Sequence, residues 1–163
     1  MATLYPLKVM SNAQTAVTSA DQGGGFSYRY DRPFVTISAG TTVTQMPFFT
    51  VPSTVSNAQI TNFTLMTGGT APSSGTMTVT IKKNGSTSIF GTAPTVTTTA
   101  GTNTNVSVGS AATTGYAIPV LATTLSTLQL VAGDMLTYDI TGGATVTLAA
   151  FQLEIRDMSG ISG

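Results

Sequence analysis

Leu128–Asp157 reads Leu-Gln-Leu-Val-Ala-Gly-Asp-Met-Leu-Thr-Tyr-Asp-Ile-Thr-Gly-Gly-Ala-Thr-Val-Thr-Leu-Ala-Ala-Phe-Gln-Leu-Glu-Ile-Arg-Asp. Successive side chains of a strand point to opposite faces, so a half-buried strand alternates apolar and polar residues. Leu136, Tyr138 and Ile140 share one face and Thr137 and Asp139 the other. The stretch predicts strand, Gly-Asp turn, strand, Gly-Gly turn and a long final strand. In that strand Val146, Leu148 and Ala150 share a face, after which Phe151, Leu153 and Ile155 alternate with Gln152, Glu154 and Arg156. The change of phase predicts a β-bulge or sharp bend at Ala149–Ala150, or else a segment covered on both faces. Asp134 follows Gly133 at a turn, where an Asp side chain bonds its own backbone. Calcium ligation by Asp134 and Asp139 is the functional alternative, but such a site needs more clustered oxygens than these two supply.

Working toward the N-terminus, Thr76–Lys82 alternates cleanly, with Met77, Val79 and Ile81 opposite Thr76, Thr78, Thr80 and Lys82. Asn84-Gly85 then predicts a tight hairpin returning through Ser88–Phe90. Lys82 and Lys83 read as solvated charges that discourage edge pairing. Gln59–Thr67 is a strand with Phe63 and Leu65 on one face, and Gly68–Gly75 is a loop. Thr41–Thr50 is a strand in which Pro47 marks an edge or a break. Gly91–Thr114 holds short strands or a long surface loop. Tyr116–Leu121 is a strand broken by Pro119, and Leu121, Leu125 and Leu128 suit one helical turn. This many short strands with turn signals between them predict an all-β, antiparallel β-sandwich, with the two-sheet jelly roll the commonest closed form.

The ends differ from the middle. Within residues 1–25, Ser11–Ala20 is small and polar and Gly23-Gly24-Gly25 follows, which predicts an extended N-terminal arm with a glycine hinge. Residues 26–157 form the sandwich domain, and Met158–Gly163 is a loose tail. Tyr28, Arg29, Tyr30, Asp31 and Arg32 are the densest aromatic and charged cluster. They form either a first strand whose Arg–Asp pair lies in solvent or a contact patch for another subunit.

Composition narrows the chemistry. The chain has 163 residues, 41% hydrophobic and only 7% charged, with zero net charge and a mean hydropathy of +0.27. An ordinary soluble domain is roughly 25% charged. So polar a surface with so little charge is either covered by copies or partners or solvated by Thr, Ser and Asn. There is no Cys and no His, which removes thiol chemistry, the usual general base and the commonest metal ligand. A carboxylate pair for glycoside hydrolysis would have to come from Asp21, Asp31, Asp134, Asp139, Glu154 or Asp157. No catalytic residue, cofactor or metal site is expected. The triple glycine lacks the lysine of a phosphate loop, and no basic stripe points to nucleic acid. Met-Ala-Thr-Leu-Tyr-Pro-Leu-Lys does not read as a signal peptide, and Ala117–Ala132 is too short and polar to span a membrane.

Thr76-Met-Thr-Val-Thr-Ile-Lys-Lys-Asn-Gly-Ser86 and Leu130-Val-Ala-Gly-Asp-Met-Leu-Thr-Tyr-Asp139 resemble the strand–Asn-Gly–strand unit and Ala-Gly-Asp turn of small tailed-bacteriophage jelly-roll proteins. The resemblance spans Gln59–Arg156. It implies a capsid decoration or cement protein, or a head fibre, in the virion. Such proteins are usually homotrimers, with the major capsid protein and copies of themselves as partners, and they bind neither nucleic acid nor membrane. The arm before Gly23–Gly25 and the Tyr28–Arg32 patch would bind capsid subunits, the arm by strand addition on neighbouring subunits. The alternative is a receptor- or carbohydrate-binding module of a tail fibre or tail tip, for which Tyr116, Tyr138 and Asp139 are the candidate sugar contacts. The spacing of Tyr138 favours the core instead.

Overall fold

A computed structural model describes residues 28–31, 34–38, 42–68, 75–101, 103–142 and 148–158. Alternating Thr and aliphatic residues run through it, so nearly every regular element is a strand. In chain order these are β1 (Tyr28–Asp31), β2 (Phe34–Ser38), β3 (Val43–Thr50), β4 (Ala58–Gly68), β5 (Thr76–Lys83), β6 (Thr87–Ser88), β7 (Phe90–Thr92) and β8 (Thr95–Thr97). There follow β9 (Thr104–Ser107), β10 (Tyr116–Ala117), β11 (Val120–Leu121), the single helical turn α1 (Leu125–Leu128), β12 (Gln129–Leu130), β13 (Met135–Thr141) and β14 (Leu148–Asp157).

The strands form an antiparallel β-sandwich. In one sheet β14 and β4 are central, with β2 and β1 along the far edge of β14 and β9 and β12 along the far edge of β4. In the other, β13 lies between β3 and β5, and β6, β8 and β10 extend the β5 side. β7 and β11 make a separate two-stranded ribbon. The long-range pairing is nested. β2 pairs with β14, β3 with β13, β4 with β9 and β5 with β8. Among these eight strands the first meets the last, the second the seventh, the third the sixth and the fourth the fifth, as in one long ribbon folded over on itself.

The two inner faces share one core. Phe63 and Leu65 of β4 and Phe151, Leu153 and Ile155 of β14 are buried with Met77, Val79 and Ile81 of β5 and Leu136 and Ile140 of β13. Burying one such side chain contributes roughly 1.5–3 kcal/mol. Aromatic rings join the sheets. Phe151 stacks on Phe63 at 5.7 Å and meets Phe48 and Tyr138 edge-on at 5.3 Å each. Tyr138 is therefore packed against the core, as its spacing predicts.

Pro47 does mark an edge: β3 ends its sheet and carries two register shifts against β13. One skips Phe48, which packs on Tyr138 and Phe151. Re-aiming a side chain is what an edge bulge does. The segment before Pro119 and the one after it form separate short strands, β10 and β11, and Gly91–Thr114 holds β8 and β9.

Two expectations need correction. β14 pairs without a break through Ala149 and Ala150, against both β4 and β2. Ala149, Phe151, Leu153 and Ile155 are all buried in one inward phase. Alanine is apolar enough to read on either face, which misplaced the phase change. The irregularity lies on the neighbouring strand, where β4 inserts an extra residue opposite Glu154–Ile155. Secondly, Lys82 and Lys83 are not free solvated charges, since Lys82 is paired with Asp139 of β13 and Lys83 with Asp134 in the turn that precedes β13. The Met158 N–H donates to the Asn57 carbonyl at 2.8 Å, and the rest of the expected tail, 159–163, lies outside the described residues.

Candidate functional site

Two lysine–aspartate pairs, Lys83 with Asp134 and Lys82 with Asp139, gather around the β5–β6 hairpin. Asn84 and Gly85 both take left-handed backbone conformations, at φ 51° and 72°. The Ser86 N–H donates to the Lys83 carbonyl at 3.2 Å. Two successive left-handed residues make a type I′ turn, whose twist matches the flanking strands, and Asn-Gly adopts it at least cost. The turn brings Lys83 and Asn84 to the loop that precedes β13.

Asp134 is the hub. It is buried, at 8% exposure. One carboxylate oxygen accepts the Val131 N–H at 2.9 Å, closing its own turn. The other accepts the Asn84 amide at 2.8 Å, and Lys83 Nζ lies 3.2 Å from the first. Asn84 returns the contact by accepting the Met135 N–H at 2.9 Å through Oδ1. Its backbone N–H donates to the Met135 carbonyl at 2.7 Å. Lys83 Nζ also donates to the Gln129 carbonyl at 2.7 Å. Burial pushes the Asp134 carboxyl up, but the Val131 N–H, the Asn84 amide and the Lys83 ammonium outweigh it and hold it below the usual carboxylate range.

A second tie lies further along β13. Asp139 pairs with Lys82 and accepts the Gln45 N–H at 2.6 Å. Gln45 is left-handed at φ 52°, and its Nε2 donates to the Gly85 carbonyl at 3.1 Å. Burial raises the Asp139 carboxyl, and Lys82 and the Gln45 N–H together bring it below its ordinary value. β3, β5, β13 and the hairpin turn are thus cross-linked by charge-assisted hydrogen bonds, each net worth roughly 1.5–3 kcal/mol.

The structure does not bring Asp134 and Asp139 together as a calcium pair: each faces its own lysine. No group of three or more metal-ligating side chains occurs among the described residues. Of the other carboxylates considered, Glu154 lies 3.7 Å from Arg156 on the same strand, Asp157 closes β14, and Asp21 lies outside the described residues.

Of the sugar-contact candidates, Tyr138 packs on Phe48 and Phe151. The Tyr116 hydroxyl is engaged by Thr67 Oγ1 at 2.6 Å and the Gly101 carbonyl at 2.9 Å. Asp139 belongs to the lysine tie. In the capsid-contact cluster, Tyr28, Arg29, Tyr30 and Asp31 form β1, which pairs with Ile155–Asp157 of β14. Arg32 and the N-terminal arm lie outside the described residues. Sequence reasoning missed the Lys83–Asn84–Asp134 lock, although the Lys-Asn-Gly turn and the Gly-Asp turn that build it were both legible. No known family model matches the sequence, and no curated protein matches it.

Proposed function

We propose that this protein is a non-enzymatic structural component of a bacteriophage virion, a jelly roll that decorates or cements the capsid. It is anchored through its N-terminal arm on the major capsid protein and associates with copies of itself, as a trimer. The observation that carries the reading is the nested pairing of β2, β3, β4, β5, β8, β9, β13 and β14. That order is expected of a jelly roll, a fold widespread among capsid and lectin domains. Fold alone leaves several functions open. The use of the charged side chains supports the structural one, because Lys82, Lys83, Asp134 and Asp139 hold strands to one another. The glycan-binding alternative is weakened by the internal engagement of Tyr116, Tyr138 and Asp139.

Immunogold electron microscopy of the virion, with antibody to this chain, tests the reading. Label spread over the head is the expected result. Label confined to the tail tip would transfer the protein to receptor binding, and particles without label would end the virion assignment. Deleting residues 1–25 is then expected to abolish capsid binding and leave the circular dichroism of the sandwich unchanged.

A further inference from the structure

Asn84-Gly85 is the one Asn-Gly step in the sequence, and its chemistry and geometry pull in opposite directions. In such a step the following backbone nitrogen can attack the side-chain amide carbon, because glycine offers no side chain to hinder it. The Gly85 nitrogen gives up its proton to solvent and bonds to Asn84 Cγ. The Cγ–Nδ2 bond breaks, and the nitrogen takes a proton from solvent and leaves as ammonia. Water then opens the resulting five-membered imide at either carbonyl, leaving aspartate or isoaspartate at position 84.

The native hairpin holds Asn84 away from this path. Nδ2 donates to Asp134 at 2.8 Å and Oδ1 accepts the Met135 N–H at 2.9 Å. Turning Cγ onto the Gly85 nitrogen breaks both bonds, taking one donor from a buried carboxylate and leaving the Met135 N–H without its acceptor. Reaction therefore waits for the tip to open, an event whose frequency is set by local stability.

The product cannot re-form the lock. An aspartate at position 84 has no amide hydrogen for Asp134 and places a second negative charge beside it. Isoaspartate adds a backbone carbon inside a turn whose register, Lys82 with Ser88 and Lys83 with Thr87, admits none. We infer that Asn84-Gly85 is a self-modification site. The Asp134 lock suppresses its deamidation, and conversion, once it occurs, permanently releases the position-84 side chain from Asp134 and loosens the hairpin's hold on the β13 turn. This inference stands independently of the virion reading.

Peptide mapping by mass spectrometry, at mildly alkaline pH over time, tests it on the full chain. Conversion at Asn84 is expected to be at least about tenfold slower in the native protein than in the same protein held in urea, since only opened molecules react. Equal rates in the two would overturn the inference, and that comparison needs no variant. Asp134→Asn keeps the shape and removes the charge, so it is expected to speed conversion under native conditions. A folded Asp134→Asn protein converting at the wild-type rate would show that the lock is not what protects Asn84. Native protein aged to full conversion is expected to melt at a lower temperature than fresh protein; an unchanged melting temperature would sink the claimed release.

Discussion

Thr137 sits between Lys82 of β5 and Pro47 of β3 in the sheet register and is only 1% exposed. Its hydroxyl is the one buried side-chain oxygen or nitrogen without a hydrogen-bond partner among the described residues. An unsatisfied buried hydroxyl costs roughly 1–3 kcal/mol, whereas a methyl of the same shape does not. Thr137→Val is therefore expected to raise stability by about 1 kcal/mol in urea unfolding. Asp134→Ala should do the opposite. It leaves the Lys83 ammonium, the Asn84 amide and the Val131 N–H without their shared acceptor. Removing one partner of a largely buried pair costs roughly 3–5 kcal/mol, and a lowered urea midpoint would report it. The same group fixes the response to acid. Asp134 and Asp139 titrate below their ordinary value of 3.8 in the folded protein. Near that value the unfolded chain binds more protons, so their stabilisation is complete above it and is lost as the pH falls through the folded pKa values. Urea midpoints measured against pH should fall on acidification, and the double variant Asp134→Asn, Asp139→Asn should flatten that acid limb.

Among the strands, periodicity was a better guide to existence than to phase. β5 and β13 were readable because Thr alternates with Met, Val, Ile and Leu, leaving one choice of inward face. β14 was misread at Ala149–Ala150 because two adjacent alanines suit either face. The phase argument itself was sound and applied to β4 instead. Ala58 and Ile60 face inward, then Phe63 and Leu65 do, which is an odd step only an inserted residue can absorb. The Asn62 side chain accepts the Phe63 N–H there at 2.8 Å. The lock was invisible for a different reason: its two turns lie far apart in sequence, and only the pairing of β5 with β13 brings Lys83 opposite Leu136, next to Asp134. Close backbone packing is equally silent in sequence. Gly115 has φ +81°, and a Cβ there would stand 2.2 Å from the Ala100 backbone nitrogen. Gly115 also anchors β8, its carbonyl accepting the Thr97 N–H at 2.8 Å. Gly115→Ala must shift backbone as well as adopt a strained conformation, so a loss of roughly 2–3 kcal/mol is expected in thermal or urea unfolding.

Charge is confined to a few places. Between Arg32 and Lys82, and again between Lys83 and Asp134, the sequence contains no charged residue. Lys82, Lys83, Glu154 and Arg156 each have an oppositely charged partner within the same chain. Two copies approaching each other meet little net repulsion, since the formal charge is zero. Single apolar side chains, among them Leu125, Val131 and Met135, remain exposed on this neutral surface. If copies associate as proposed, burial of Thr methyls and such apolar groups drives it, and ion pairs between copies contribute little. Salt separates the two cases. Sodium chloride screens ion pairs over a distance of about 8–10 Å at moderate concentration and would dissociate an assembly held by them. Sulfate strengthens apolar burial by its exclusion from protein surface. Sedimentation velocity should therefore show association unchanged by added sodium chloride and increased by ammonium sulfate. Dissociation in sodium chloride would instead place the contact on groups whose charges face a neighbour, for which Arg29, Asp31 and Arg32 would be the first substitutions to make.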